Sequence, residues 1–168
     1  GMINYLMAMP SRYTLGLRLM GSRKKAYATI KPLADRNGPL KIAAQMMMAY
    51  MFKEDRDYDA AVGYCRRLLA SYPGNRSTLR LMRDAFFKAS RYAEAVQVGA
   101  GLDSAFPKAF VDNKYCMAEN WIVCGKAYAL MGEKEEARVR LDRVIAWEPY
   151  QTEVPWLPHY VREAKQWR

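Results

Sequence analysis

Cysteine, histidine and acid are scarce in this sequence, and long apolar runs are missing. Cys65, Cys116 and Cys124 are the three cysteines in 168 residues. Their number is odd and none stands in a CxxC pair, which excludes the disulfide framework of a small secreted domain. Cys65 and Cys124 fall at apolar helix positions, where a buried thiol packs as a small hydrophobe. Reduced thiols of this kind fit the cytoplasm. His159 is the one histidine, and with scattered thiols it forms no zinc site of ordinary spacing. No Ser/His/Asp set, paired carboxylate site or metal cluster can be assembled, so no catalysis, metal or cofactor is expected. No run of about 18 apolar residues occurs, so no transmembrane helix is expected. Residues 3–13 lack the basic leader and apolar length of a signal peptide. Gly1 before Met2 reads as a residue left by tag removal and is set aside.

Acids number 17 against 27 Lys and Arg, giving a formal net charge of +10. The imbalance sits at one end: residues 1–38 hold seven basic side chains and one acidic. Such a region suits an acidic partner, nucleic acid or an anionic surface, or serves as a solvated face.

Hydrophobic residues make up 51% of the chain, enough for a sizeable core. Their spacing is helical. Trp121, Cys124, Gly125 and Tyr128 fall at offsets of three, four and seven, one helix face. Gly132 suits a left-handed helix end, and Glu133, Glu135 and Glu136 suit the positive end of a following helix. Ala137, Leu141 and Val144 carry that helix's stripe, and Pro149 closes the unit. Gly125 and Ala137 are small where the two helices would cross.

The unit recurs. Pro39, Pro73 and Pro107 are 34 residues apart, with Pro149 a further 42 on. Twelve residues before each of the last three stand Ala61, Ala95 and Ala137, and nine before each alanine stand Phe52, Phe86 and Tyr128. Leu68, Leu102 and Val144 match, as do Tyr58 and Tyr92. The small residue facing the alanine is Ala49 in one unit and Gly125 in another. In the middle unit Arg83 stands there, which should loosen or re-angle that hairpin. A fixed period of this length marks stacked helical hairpins.

The period, with Trp121, Gly125, Tyr128, Gly132, Ala137 and Pro149, resembles the tetratricopeptide repeat. The last unit matches nearly every signature position, and 42–73 and 76–107 match the small, aromatic and proline positions without the tryptophan. The resemblance implies an all-α, right-handed superhelical array of antiparallel helix pairs, as one domain over 1–168. Its parts are a degenerate helical hairpin (2–39), repeats at 40–75 and 76–109, an insertion (110–117), a repeat at 118–149 and a C-terminal capping helix (150–168).

In the first segment, Leu15, Leu17, Leu19 and Met20 would lie on one helix, with a turn near Gly21–Ser22. Ala26, Ile30 and Leu33 would lie on the next, kinked at Pro32. Met2, Leu6, Met7 and Met9 read as the remnant of an earlier helix. In KIAAQMMMAYMF, Met48 takes a core position. Gly99 and Gly101, inside a helix, suit close packing against a neighbour. The insertion, with Phe110, Tyr115 and Met117, could lengthen the helix that follows. Pro155 opens the last helix, whose stripe is Trp156, Tyr160, Ala164 and Trp167.

By the same resemblance the first helix of each hairpin lines a concave groove. Met46, Tyr50 and Lys53 come from the first clear unit, Arg80, Asp84 and Phe87 from the second, and Ile122, Lys126 and Ala129 from the third. Methionine and aromatic area would anchor a ligand, with Arg80 and Lys126 orienting carboxylates. One subfamily grips chaperone C-termini with lysines and asparagines. Here those places hold Met46, Tyr50, Arg80 and Lys126, so that ligand is not expected. The implied function is a protein-interaction module or scaffold that binds a peptide or partner protein. Nucleic-acid or anionic-surface binding through the basic N-terminal region is a second reading. A docking subunit of a larger enzyme complex is a third.

Overall fold

The computed structural model describes residues 23–105, 114–152 and 154–168. Every regular element among them is helical: α1 (Arg23–Asp35), α2 (Lys41–Glu54), α3 (Tyr58–Ser71), α4 (Arg76–Lys88), α5 (Tyr92–Ala105), α6 (Lys114–Met131), α7 (Lys134–Ile145) and α8 (Leu157–Trp167), with a short 3₁₀ turn at Glu148–Tyr150. They fall into two compact units, divided between Pro73 and Gly74. The expected helix at 2–22, its turn at Gly21–Ser22, and Pro107 and Phe110 lie outside the described residues.

In the first unit α1 packs on α2 and α2 on α3. Met48 is buried as its position demands, with Ala44, Ala49 and Met51 beside it. On α1 the buried stripe is Ala26, Ile30 and Ala34, spaced by four. Ala34 therefore takes the place expected for Leu33, which is half-buried. Pro32 stands inside the helix, three residues before its end, and forfeits the bond to the Ala28 carbonyl. Gln45, buried on α2, donates from Nε2 to the Ala34 carbonyl at 3.1 Å and holds the end of α1.

The three hairpins α2–α3, α4–α5 and α6–α7 turn in the same way. Arg56, Ser90 and Gly132 stand at equivalent repeat positions, and each has positive φ: 66°, 59° and 84°. Each donates its N–H three residues back, to Lys53, Phe87 and Ala129, at 3.2, 3.0 and 3.1 Å. The next residue in each, Asp57, Arg91 and Glu133, donates to Phe52, Phe86 and Tyr128, at 2.9 Å in all three. This pair of bonds around one left-handed residue is the Schellman helix ending. The aromatic of the repeat signature is thus the residue whose carbonyl receives the bond that spans five residues.

In the second unit the small residues do what their sizes suggest. A Cβ on Gly125 would lie 2.8 Å from two Leu141 side-chain carbons and 3.5 Å from the Ala137 carbonyl. A Cβ on Gly99 would lie 2.2 Å from Cys124 Sγ, so Gly99 is where α5 and α6 touch. Gly101 has nothing within 4 Å and does not share that role. Pro149 sits in the 3₁₀ turn, beyond the end of α7.

The C-terminal helix packs on both α6 and α7. Its deep stripe is Leu157, Val161 and Ala164; Ala164 belongs to the expected stripe, while Leu157 and Val161 stand one residue past the expected Trp156 and Tyr160. Trp156 and Tyr160 flank that stripe and pack against a core of Ala118, Trp121, Ile122, Leu141, Val144 and Ala164.

Candidate functional site

Arg83 organises the first helices of the second unit. It is fully buried, at 0% exposure. Its Nε and Nη2 donate to Asp84 Oδ1 at 3.0 and 2.6 Å, and its Nη1 donates to Asn120 Oδ1 at 2.9 Å. Asn120 Nδ2 in turn donates to the Gly99 carbonyl at 2.9 Å and to Asp103 Oδ1 at 2.7 Å. Arg140 pairs with the other Asp103 oxygen. One chain of polar groups therefore joins α4, α5, α6 and α7. A buried cation is tolerated only when paired and hydrogen-bonded, and this one is both. Arg83, expected to loosen or re-angle its own hairpin, fastens two hairpins together.

The face of α4 next to this network carries Arg80, Asp84 and Phe87 at spacings of four and three. Arg80 grips Glu119 of α6 with Nη2 2.7 Å from Oε1 and Nε 2.7 Å from Oε2. The second approach lacks the alignment of a hydrogen bond, and Oε2 has no other hydrogen-bond partner. Burial works against the Arg80 charge, but the hydrogen bond and charge of Glu119 outweigh it and hold the proton more tightly than usual. Phe87 is half-buried, its ring 5.6 Å from that of Tyr92.

Seven residues along α6, about two turns, Lys126 repeats the pattern. Its ammonium pairs with Glu163 of α8 and lies 5.3 Å from the Trp167 ring centroid. His159 Nε2 stands 3.7 Å from the same Glu163. Ala129 is half-buried on this helix. Ile122 does not line the face: at 2% exposure it is a core residue, covered by α8. The physical reason is that the capping helix occupies the surface an open end would have left.

Upstream on α6, Tyr115 meets Trp156 and Tyr160, with ring centroids 5.3 and 5.5 Å apart. Burial, then a hydrogen bond with Tyr115, pushes the Tyr160 phenol well above its usual range. Glu119 and Tyr115 were not among the expected groove residues, though the spacing 129, 126 and 122 continues to 119 and 115; α6 begins at Lys114, within the expected insertion, so that stretch lengthens this helix.

In the first unit, Met46 and Tyr50 are half-buried on α2. Lys53 lies 5.0 Å from the Tyr50 ring centroid and 2.9 Å from a Glu54 carboxylate oxygen. The three expected side chains of α2, spaced by four and three, thus share one face of one helix. Among the described residues no cluster of His, Cys, Asp and Glu could hold a metal ion, and no helix is long and apolar enough to cross a membrane.

The hairpin of α2 and α3, with its left-handed turn at Arg56, is the part of the chain that matches a known family. Residues 43–75 match the tetratricopeptide repeat family. The match falls on the first clear unit rather than on the Trp121–Pro149 unit that carries most signature residues. No curated protein and no solved structure matches the chain. The tetratricopeptide resemblance read from the sequence is supported by this match and by the all-helical packing of successive helices.

Proposed function

We propose that this chain is a protein-binding module, and that the first-helix faces of its tetratricopeptide-like hairpins receive a peptide or a partner surface. The observation that carries this reading is the family match over 43–75, repeated in geometry by three identical hairpin turns. Repeats of this family are generally interaction modules. In the second unit the contact face runs from Phe87 and Asp84 on α4, past Arg80 and Glu119, to Lys126 and Glu163. Both cations proposed for orienting carboxylates are already engaged by the protein's own acids, so a ligand acid must share them. Anchoring then falls to Phe87 and Trp167 there, and to Met46 and Tyr50 in the first unit.

The test is capture from nuclease-treated lysate followed by mass spectrometry. Wild type is compared with Tyr50→Ala/Phe87→Ala/Lys126→Gln, whose helicity is checked by circular dichroism. A partner held by wild type and lost by the variant supports the reading. Equal capture by both removes these faces from consideration.

A second reading concerns the basic region. The helix α1 carries Arg23, Lys24, Lys25 and Lys31 against Asp35 alone. Polyanion binding through α1 would weaken steeply with salt. Salt-insensitive or undetectable binding to RNA and DNA would eliminate it.

A further inference from the structure

Two glutamates hold the cations of the second unit's first-helix face. Arg80 of α4 turns Nη2 and Nε to the two oxygens of Glu119 on α6, each at 2.7 Å. The Lys126 ammonium of α6 pairs with Glu163 on α8 and lies over the Trp167 ring. The lysine is withdrawn as well as paired, its side chain 19% exposed. Arg83, fully buried, gives its charge to Asp84. Glu119 and Lys126 are seven residues apart on α6, about 10 Å. That is the reach of about three residues of extended peptide, so one bound segment meets both pairs.

The paired charges on this face cancel: Arg80, Arg83 and Lys126 against Glu119, Asp84 and Glu163. Lys88, exposed at the last residue of α4, adds one cation at the helix end. A ligand carboxylate that reaches Arg80 or Lys126 meets a glutamate close behind the cation. Attraction and repulsion at like distance offset each other. The ligand must also take the cation's hydrogen bond from an acceptor already in place. What the face offers instead is ring area: Tyr115 and Trp167 are exposed, at 37% and 38%, and Phe87 is half-buried.

We propose that Glu119 and Glu163 set the selectivity of this face. They occupy its cations as a ligand's carboxylates would, and so turn away acidic segments in favour of an uncharged, apolar-anchored segment of a partner protein. Rejection built into a site in this way is half of specificity. The inference rests on reading the face as a peptide-binding surface, and it names the chemistry of what that surface takes.

Selection from random displayed peptides tests it, on wild type, Glu163→Gln and Glu119→Gln/Glu163→Gln, with helicity checked by circular dichroism. Peptides that bind Phe87→Ala as well as wild type are discarded as binding elsewhere. Wild type enriches apolar peptides of few charges, whose affinity holds as salt is raised. The double variant enriches acidic ones. Aspartates placed at the polar positions of a wild-type peptide weaken it on wild type. Glu163→Gln recovers about tenfold of that loss, read as the ratio of the two peptides on one variant, the scale of one charge-assisted hydrogen bond. Acidic peptides enriched on wild type, or an aspartate penalty that both variants leave unchanged, overturn the proposal while the face remains a peptide site. Basic peptides enriched on wild type overturn it as well, since the glutamates then serve as ligand contacts. If no Phe87-dependent peptide is enriched on wild type or either variant, the reading of the face itself fails, and the selectivity with it.

Discussion

Two glycines two residues apart on α5 separate packing from propensity. Gly99→Ala would force a methyl into Cys124 Sγ, an overpacking that costs about 1–3 kcal/mol. Gly101→Ala meets open space and gains about 1 kcal/mol of helix propensity. Thermal melts of the two variants should therefore move in opposite directions. The hairpin turns give a second contrast. Gly132→Ala places a side chain at φ 84° and should lose about 1 kcal/mol, whereas Ser90→Gly relieves φ 59° and should gain up to about the same. Only Gly132 was legible as a left-handed residue, because neither arginine nor serine announces that backbone. The other two are held there by the bonds of the helix ending. The thiols add a pH dependence. Burial pushes Cys124 up to about 11 and Cys65 up to about 12, from 9.0 for a free thiol. The folded state then favours the protonated form, so this stability is complete below pH 9 and lost as pH rises toward 11–12. Melting temperature should fall over that window, and less in Cys124→Ala. Iodoacetamide at neutral pH should modify half-buried Cys116 well before the other two.

Among the elements, α8 and the buried network decide most. Ending the chain before α8 would bare Ile122, Trp121 and Leu141, since α8 covers the core they share. We expect that truncation to yield aggregated or molten protein, measured by dye binding and near-ultraviolet circular dichroism. Arg83→Ala leaves Asp84 and Asn120 without their cation and should cost about 3–5 kcal/mol, read from urea denaturation. The hairpins themselves were legible, because alanine, aromatic and proline positions recur at a fixed spacing. The network was not. Arg83 occupies a small-residue position, and although Asp84 is its neighbour in sequence, Asn120 lies 37 residues away, a distance no local pattern spans. Ile122 failed as a groove residue for the same kind of reason: its fate depends on where α8 lands.

At the scale of the whole molecule, the chain holds two compact units, each with its own buried residues. The second has a core closed by its own capping helix, so residues 74–168 alone should be helical and unfold cooperatively, as calorimetry would show. Stacked hairpins ordinarily share only nearest-neighbour surfaces, and each repeat can open nearly by itself. The chain of groups from Asp84 through Arg83, Asn120 and Asp103 to Arg140 changes that. Opening any one of α4 to α7 leaves polar groups on the others without their hydrogen-bond partners. Amide hydrogens along these four helices should therefore exchange with a common free energy of opening, and in Arg83→Ala they should separate into a faster and a slower set.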